Sequence, residues 1–243
     1  LPHPDRSPIT GWSLHVLAGI LYFALAATTI HLTSNGRDIA TIWPANAVLL
    51  ALLLRNDTSR WGTILAAGFL GNALANILTR GSLAAPFLFG SINLIEVIIA
   101  AIALGPYLKQ ANPIGAPGTL SRFLLWAGLI APAISGIGGA TAAALLFGEP
   151  FLRSFQIWFL SDALGLLIFT PFWLSLFSGE YLRCFRERSA LQRLEMVGLH
   201  GLTATIAIGV FFYSRQPLLF LMFPPVMLVS FRVGRLGTQI SVM

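Results

Sequence analysis

The 243-residue chain is 56% hydrophobic and only 10% charged, with a mean hydropathy of +0.79, whereas soluble domains carry roughly a quarter charged residues. That balance excludes a soluble globular domain, whose core could not bury so much apolar surface. The net charge of +6 does not describe a nucleic-acid-binding face either, because the basic residues are scattered between apolar runs.

Apolar runs long enough for a transmembrane helix, about 17 to 25 residues, recur along the chain. They fall at 12–32, 39–54, 61–78, 83–104, 120–147, 154–177, 194–213 and 218–231, the second and eighth being short. This pattern predicts an all-α, polytopic integral membrane bundle of about eight transmembrane helices, forming one domain over 1–243. After the eighth run, Arg232-Val233-Gly234-Arg235-Leu236-Gly237 reads as a turn, and the apolar tail beyond it offers the start of another helix. The first run is long enough to span and lacks a small-residue cleavage site, so no cleavable signal peptide is expected. Leu1 and Met243, the latter inside an apolar stretch, suggest an excerpt of a longer protein.

With alternating spans, one side of the membrane receives Arg6, Arg55, Arg60, Lys109, Arg122, Arg183, Arg186, Arg188, Arg193, Arg232 and Arg235, and the other only Arg37, Arg80, Arg153 and Arg215. Basic loops favour the cytoplasm, so both ends are expected there. The single cysteine, Cys184, then lies in a reducing compartment and has no disulfide partner. The charged segment 178–193 reads as a topology-fixing loop.

Polar groups inside these runs are costly and need a partner or water. Counting about 1.5 Å per helical residue from the outer end of each span puts Asn72 about 9 Å deep, Asn46 about 10 Å, Asp162 about 12 Å, Asn93 about 15 Å and Glu96 about 20 Å. Asn72 and Asn76, Asn93 and Glu96, and Trp158 and Asp162 are three or four apart, so each pair shares a helix face that should point into the bundle. Trp43, Asn46, Asn72, Asn93, Glu96, Trp158 and Asp162 are therefore the candidate ligand-binding residues, lining a site for a small polar or aromatic molecule, with Asp162 at the polar centre and Glu96 beneath it. The alternative is that these groups bond to one another as interhelical glue. Pro44 lies early in the second run, where it would free the Ala40 carbonyl, and Pro171 lies within the sixth, where it should kink the helix. Both are candidate signal-relay positions.

Small residues in the fifth run, Ala131, Ser135, Gly139 and Ala143 on one stripe, indicate close helix packing. No catalytic residue emerges, no cofactor is implied, and His3, His15, His31 and His200 show no metal-ligand spacing.

Trp43-Pro44-Ala45-Asn46-Ala47 followed by an aliphatic run resembles the Trp-Pro-x-x-Gly opening of the first class of bacterial membrane-associated sensor (MASE) domains, departing from it at Asn46 and Ala47. Trp158-Phe159-Leu160-Ser161-Asp162-Ala163-Leu164-Gly165, ending in Thr170-Pro171, is similar to that family's Trp-x-x-x-Asp-x-Leu-Gly…Pro segment. Glu96 sits where the family tends to place an acid, and Phe231-Arg232-Val233-Gly234-Arg235 is similar to its Arg-Phe-Gly turn. The resemblance covers nearly the whole chain. It implies a multi-span sensory module of the bacterial inner membrane, joined in the same chain to a cytoplasmic histidine kinase or cyclic di-guanylate enzyme after residue 243. The expected partners are the lipid bilayer, an unidentified small-molecule ligand and that output domain, with a homodimer left open and no nucleic acid. The rival reading is a solute or proton transporter subunit using Glu96 and Asp162.

Overall fold

A computed structural model describes residues 12–33, 42–80, 84–108, 116–213 and 218–243; Arg6, Arg37, Ala40, Lys109 and Arg215 lie outside the described residues. The chain is all-helical, with no strand among the described residues. Six helices are long and apolar enough to cross a membrane. We label α1 Trp12–Thr33, α2 Ala45–Arg55, α3 Trp61–Arg80, α4 Ala84–Leu108, α5 Pro117–Phe147, α6 Phe151–Phe177, α7 Glu180–Glu187, α8 Ala190–Ile208, α9 Phe223–Arg232 and α10 Arg235–Ser241. The expected eight spans thus become six long helices and two short apolar ones, α2 and the segment Phe220–Arg232 that contains α9. At 1.5 Å per residue, the 11 residues of α2 extend only about 16 Å, roughly half of a hydrocarbon core.

The described residues form two compact units, divided between Thr170 and Pro171. In the first, α1 and α3 run parallel: His15 meets the Thr63 hydroxyl at 2.8 Å, and Gly19 lies against Ala67 and Gly71 further along both helices. Small residues allow this approach, since a Cβ on Gly71 would sit 2.6 Å from the Gly19 carbonyl oxygen. The buried α2 lies between α1 and α3 in the chain and runs antiparallel to α3, with Leu49 against Gly68 and the Trp61 indole donating to the Leu53 carbonyl at 2.9 Å. Every residue from Ala45 to Leu54 is buried, which suits a helix that is apolar on all sides.

Helices α5 and α6 form a hairpin. Gly148 closes α5 at φ +68°, a left-handed conformation suited to glycine, and its N–H donates to the Ala144 carbonyl at 3.1 Å. Within α5, the turn Trp126–Ile130 widens to a π-helix just before Pro132, which cannot donate to the Gly128 carbonyl. Pro171 lies inside α6, where it deprives the Leu167 carbonyl of its helical donor.

In the second unit, the segment read as a loop, 178–193, contains α7 and the cap of α8. Ser189 caps α8 reciprocally with Gln192, at 3.3 and 3.0 Å. The predicted turn after α9 is present, with Gly234 at φ +85°, and the tail continues as α10. Helix α7 is tied to α10 by the Tyr181 hydroxyl donating to Gln239 Oε1 at 2.8 Å and by the Arg235–Glu180 pair at 2.7 Å.

Candidate functional site

The short α5–α6 turn fixes which residues face each other. Ser135 lies 12 residues before the end of α5, and Asp162 lies 11 residues after the start of α6. At 1.5 Å per residue both are roughly 17 Å from the turn. The Ser135 hydroxyl accordingly donates to Asp162 Oδ2 at 2.8 Å, and the Trp158 indole N–H donates to the same Ser135 oxygen at 2.8 Å. Trp158 can lie so close to α5 because Gly139 stands opposite it; a Cβ there would be 2.3 Å from the indole ring. Phe89 of α4 closes the other side, with ring centroids 5.2 Å from Trp158.

The other half of the site is built on α2. Trp43 and Pro44 precede the helix, so Pro44 caps α2 instead of interrupting it. The Trp43 N–H donates to the Ser161 carbonyl at 3.2 Å, and the Trp43 carbonyl faces Gly165, where a Cβ would come within 2.2 Å. This contact lays the entry to α2 directly on α6. Asn46, at the second position of α2, then reaches two other helices. Its carbonyl accepts from the Tyr22 hydroxyl of α1 at 2.8 Å, and its amide donates to Asn93 Oδ1 at 3.4 Å and to Glu96 Oε2, both on α4. The Trp43 indole donates to the Tyr22 oxygen at 3.3 Å.

Two hydrogen-bond chains therefore converge from two tryptophans. One runs Trp43–Tyr22–Asn46–Glu96, and the other Trp158–Ser135–Asp162. At their ends the Glu96 and Asp162 carboxyls face each other within hydrogen-bonding reach. All of these residues are buried, Asn46 and Glu96 completely. The two acids are immediate neighbours. The first turn of α2 borders this level, bringing the positive end of a helix dipole to an acidic site.

Of the predicted residues, Trp43, Asn46, Asn93, Glu96, Trp158 and Asp162 are brought together. Asn72 is not joined to them by hydrogen bonds: its carbonyl oxygens, side-chain and backbone, accept from Asn76 Nδ2 at 3.0 Å each, and its own Nδ2 has no partner. Tyr22 and Ser135 are the members that the sequence did not disclose as site residues. Tyr22 falls on a buried stripe at four-residue spacing, Leu14, Ala18, Tyr22, Ala26 and Ile30, where a hydroxyl is conspicuous. Among the described residues, no three His, Cys, Asp or Glu side chains form a metal-binding group.

The MASE1 family profile matches residues 14–243. The chain belongs to the MASE1 family. The resemblance carried by Trp43-Pro44, Trp158…Asp162 and the late arginine turn is thereby established, and the chain is a membrane-embedded, multi-pass sensory domain. The MASE1 domain is similar to the "Probable diguanylate cyclase DgcE" of Escherichia coli (strain K12), at 27% identity over 222 residues. That alignment takes in 91% of this chain but only 19% of the relative's length. No solved structure matches the chain.

Proposed function

We propose that this MASE1 domain is the sensory input module of a signalling enzyme, binding its stimulus at the buried site around Asp162 and relaying the change to a cytoplasmic output domain in the same chain. The observation that carries this reading is the single polar network linking α1, α2, α4, α5 and α6, which makes the spacing of five helices depend on one cluster. A ligand that breaks or replaces any of these bonds shifts helices instead of side chains alone. Pro171, nine residues after Asp162 on α6, is one proposed relay position, and Pro44, at the entry to α2, is the other. The diguanylate cyclase similarity favours a cyclic di-guanylate output, with a histidine kinase as the other possibility.

Asp162→Asn tests the site. Amide and carboxylate are nearly isosteric, so the variant should accumulate as wild type while its output per folded protein changes across a series of stimuli. Dose–response curves superimposable on wild type would remove Asp162 from signalling. Solute uptake by the domain in vesicles would instead favour the transporter reading.

For the topology, we propose eight traversals in the bacterial inner membrane with both ends cytoplasmic. The parallel α1 and α3 support a crossing through α2, and the basic bias supports the orientation. Cys184 on α7, a free and half-buried thiol, should then resist a membrane-impermeant thiol reagent in intact cells and react after permeabilisation. Efficient labelling from outside would reverse the orientation.

A further inference from the structure

We propose that Glu96 and Asp162 hold one proton between them, making the cluster a proton-binding site and the proton the ligand class of the sensory site proposed above. The inference rests on that reading only for its link to signalling. The proton itself is argued from geometry.

Five side-chain donors around the pair are committed. Asn46 donates to Glu96 Oε2, Ser135 donates to Asp162 Oδ2, Tyr22 donates to Asn46, and the indoles of Trp43 and Trp158 donate to Tyr22 and Ser135. Glu96 Oε1, fully buried, has no hydrogen-bond partner. Yet the Asp162 carboxyl lies within hydrogen-bonding reach of Glu96. Ionised carboxylates are acceptors only, so two of them bond only through a proton carried by one.

The groups facing the pair cannot substitute for that proton. Among the described residues, the Tyr22 phenol from α1 is the further titratable group facing the pair. Of the other described helices, α2 contributes Asn46, α4 Asn93, α5 Ser135 and α6 Trp158. No arginine, lysine or histidine is among the buried polar residues described. Uptake of one proton converts a pair with two negative charges into a pair with one. The remaining charge is met by the Asn46 amide, the Ser135 hydroxyl and the amino end of α2. The aspartic-protease dyad shows the general behaviour, in which adjacent carboxyls do not ionise together.

The test is infrared difference spectroscopy of the whole chain in lipid nanodiscs across a pH titration, in H2O and D2O. The expected result is one protonated-acid carbonyl band that shifts on deuteration and disappears in both Glu96→Gln and Asp162→Asn. Each introduced amide donates to the remaining carboxylate and so replaces the shared proton. Two separate bands, each lost with one variant, would overturn the proposal. So would the absence of any such band in wild type, a measurement that does not depend on a variant folding. Stabilisation of wild type by sodium with no protonated-acid band would identify a metal-cation site instead and overturn it too. If the shared band is found but both variants signal normally, the proton site stands and the sensory reading falls. If Asp162→Asn alters output and no band is found, the reverse holds.

Discussion

Gly165→Ala should be among the most damaging single-methyl substitutions in this MASE1 domain. The added Cβ would lie 2.2 Å from the Trp43 carbonyl oxygen and 2.7 Å from its carbon, and both sides of the clash are backbone. Neither α6 nor the turn into α2 can swing a side chain aside, so one must move. Overpacking a well-filled interior typically costs about 1–3 kcal/mol, and a backbone clash belongs at about 3 kcal/mol, the upper end of that range. The displacement also pulls Trp43 from Ser161 and thereby loosens one of the two indole chains. Gly201→Ala is the control. It lies in α8 where a Cβ meets nothing within 4 Å, and alanine favours a helix interior by about 1 kcal/mol. Thermal unfolding in detergent should separate the two substitutions in opposite directions. Equal midpoints for Gly165→Ala and wild type would mean that α2 does not rest on α6 as described.

The second large effect belongs to Asn46→Leu. Leucine fills a similar volume but leaves the Tyr22 hydroxyl, Asn93 Oδ1 and Glu96 Oε2 without the partner that joins them. Removing one member of a buried charged or strongly polar set costs about 3–5 kcal/mol, because the stranded groups have no water to turn to. Asn76→Leu supplies the comparison, since Asn76 donates only to Asn72, within α3. Losing such a local bond should cost about 1 kcal/mol. The fraction of protein recovered as a monodisperse peak after mild heating would read both. A loss at Asn46 no greater than at Asn76 would show that the network is not what holds α1, α2 and α4 together.

The sequence disclosed much of this cluster because acids and amides stand out in apolar runs. Asn46, Asn93, Glu96 and Asp162 could be recognised for that reason, and Trp158 through its four-residue spacing to Asp162. Ser135 was visible only as a small residue in a packing stripe, since a serine hydroxyl and a glycine both permit close approach. Its partner became evident once the length of the α5–α6 turn set the register. Tyr22 was hidden by the ease with which tyrosine sits in any apolar helix. The Asn46–Glu96 bond joins two residues that a uniform helical rise places about 10 Å apart in depth, and Ile42 and Trp43, ahead of α2, are not helical. Asn72 had the right chemistry on a helix face whose bonds stay within α3.

The shortness of α2 also bears on how the protein is made. A segment of this length that leaves the insertion machinery alone would expose its first N–H groups to hydrocarbon, where each unmet group costs several kcal/mol. Helices α1, α3 and α4 are long enough to be stable in lipid independently, in the sense that separate insertion precedes association. Residues 45–55 are not, and they rely on α1, α3 and α4 for their surroundings and, last in order of synthesis, on α6, which receives Trp43. Enclosure of the half-length helix is therefore completed only when α6 is present. A ribosome stalled before residue 151 would hold a chain in which the entry to α2 still lacks the α6 surface it rests on.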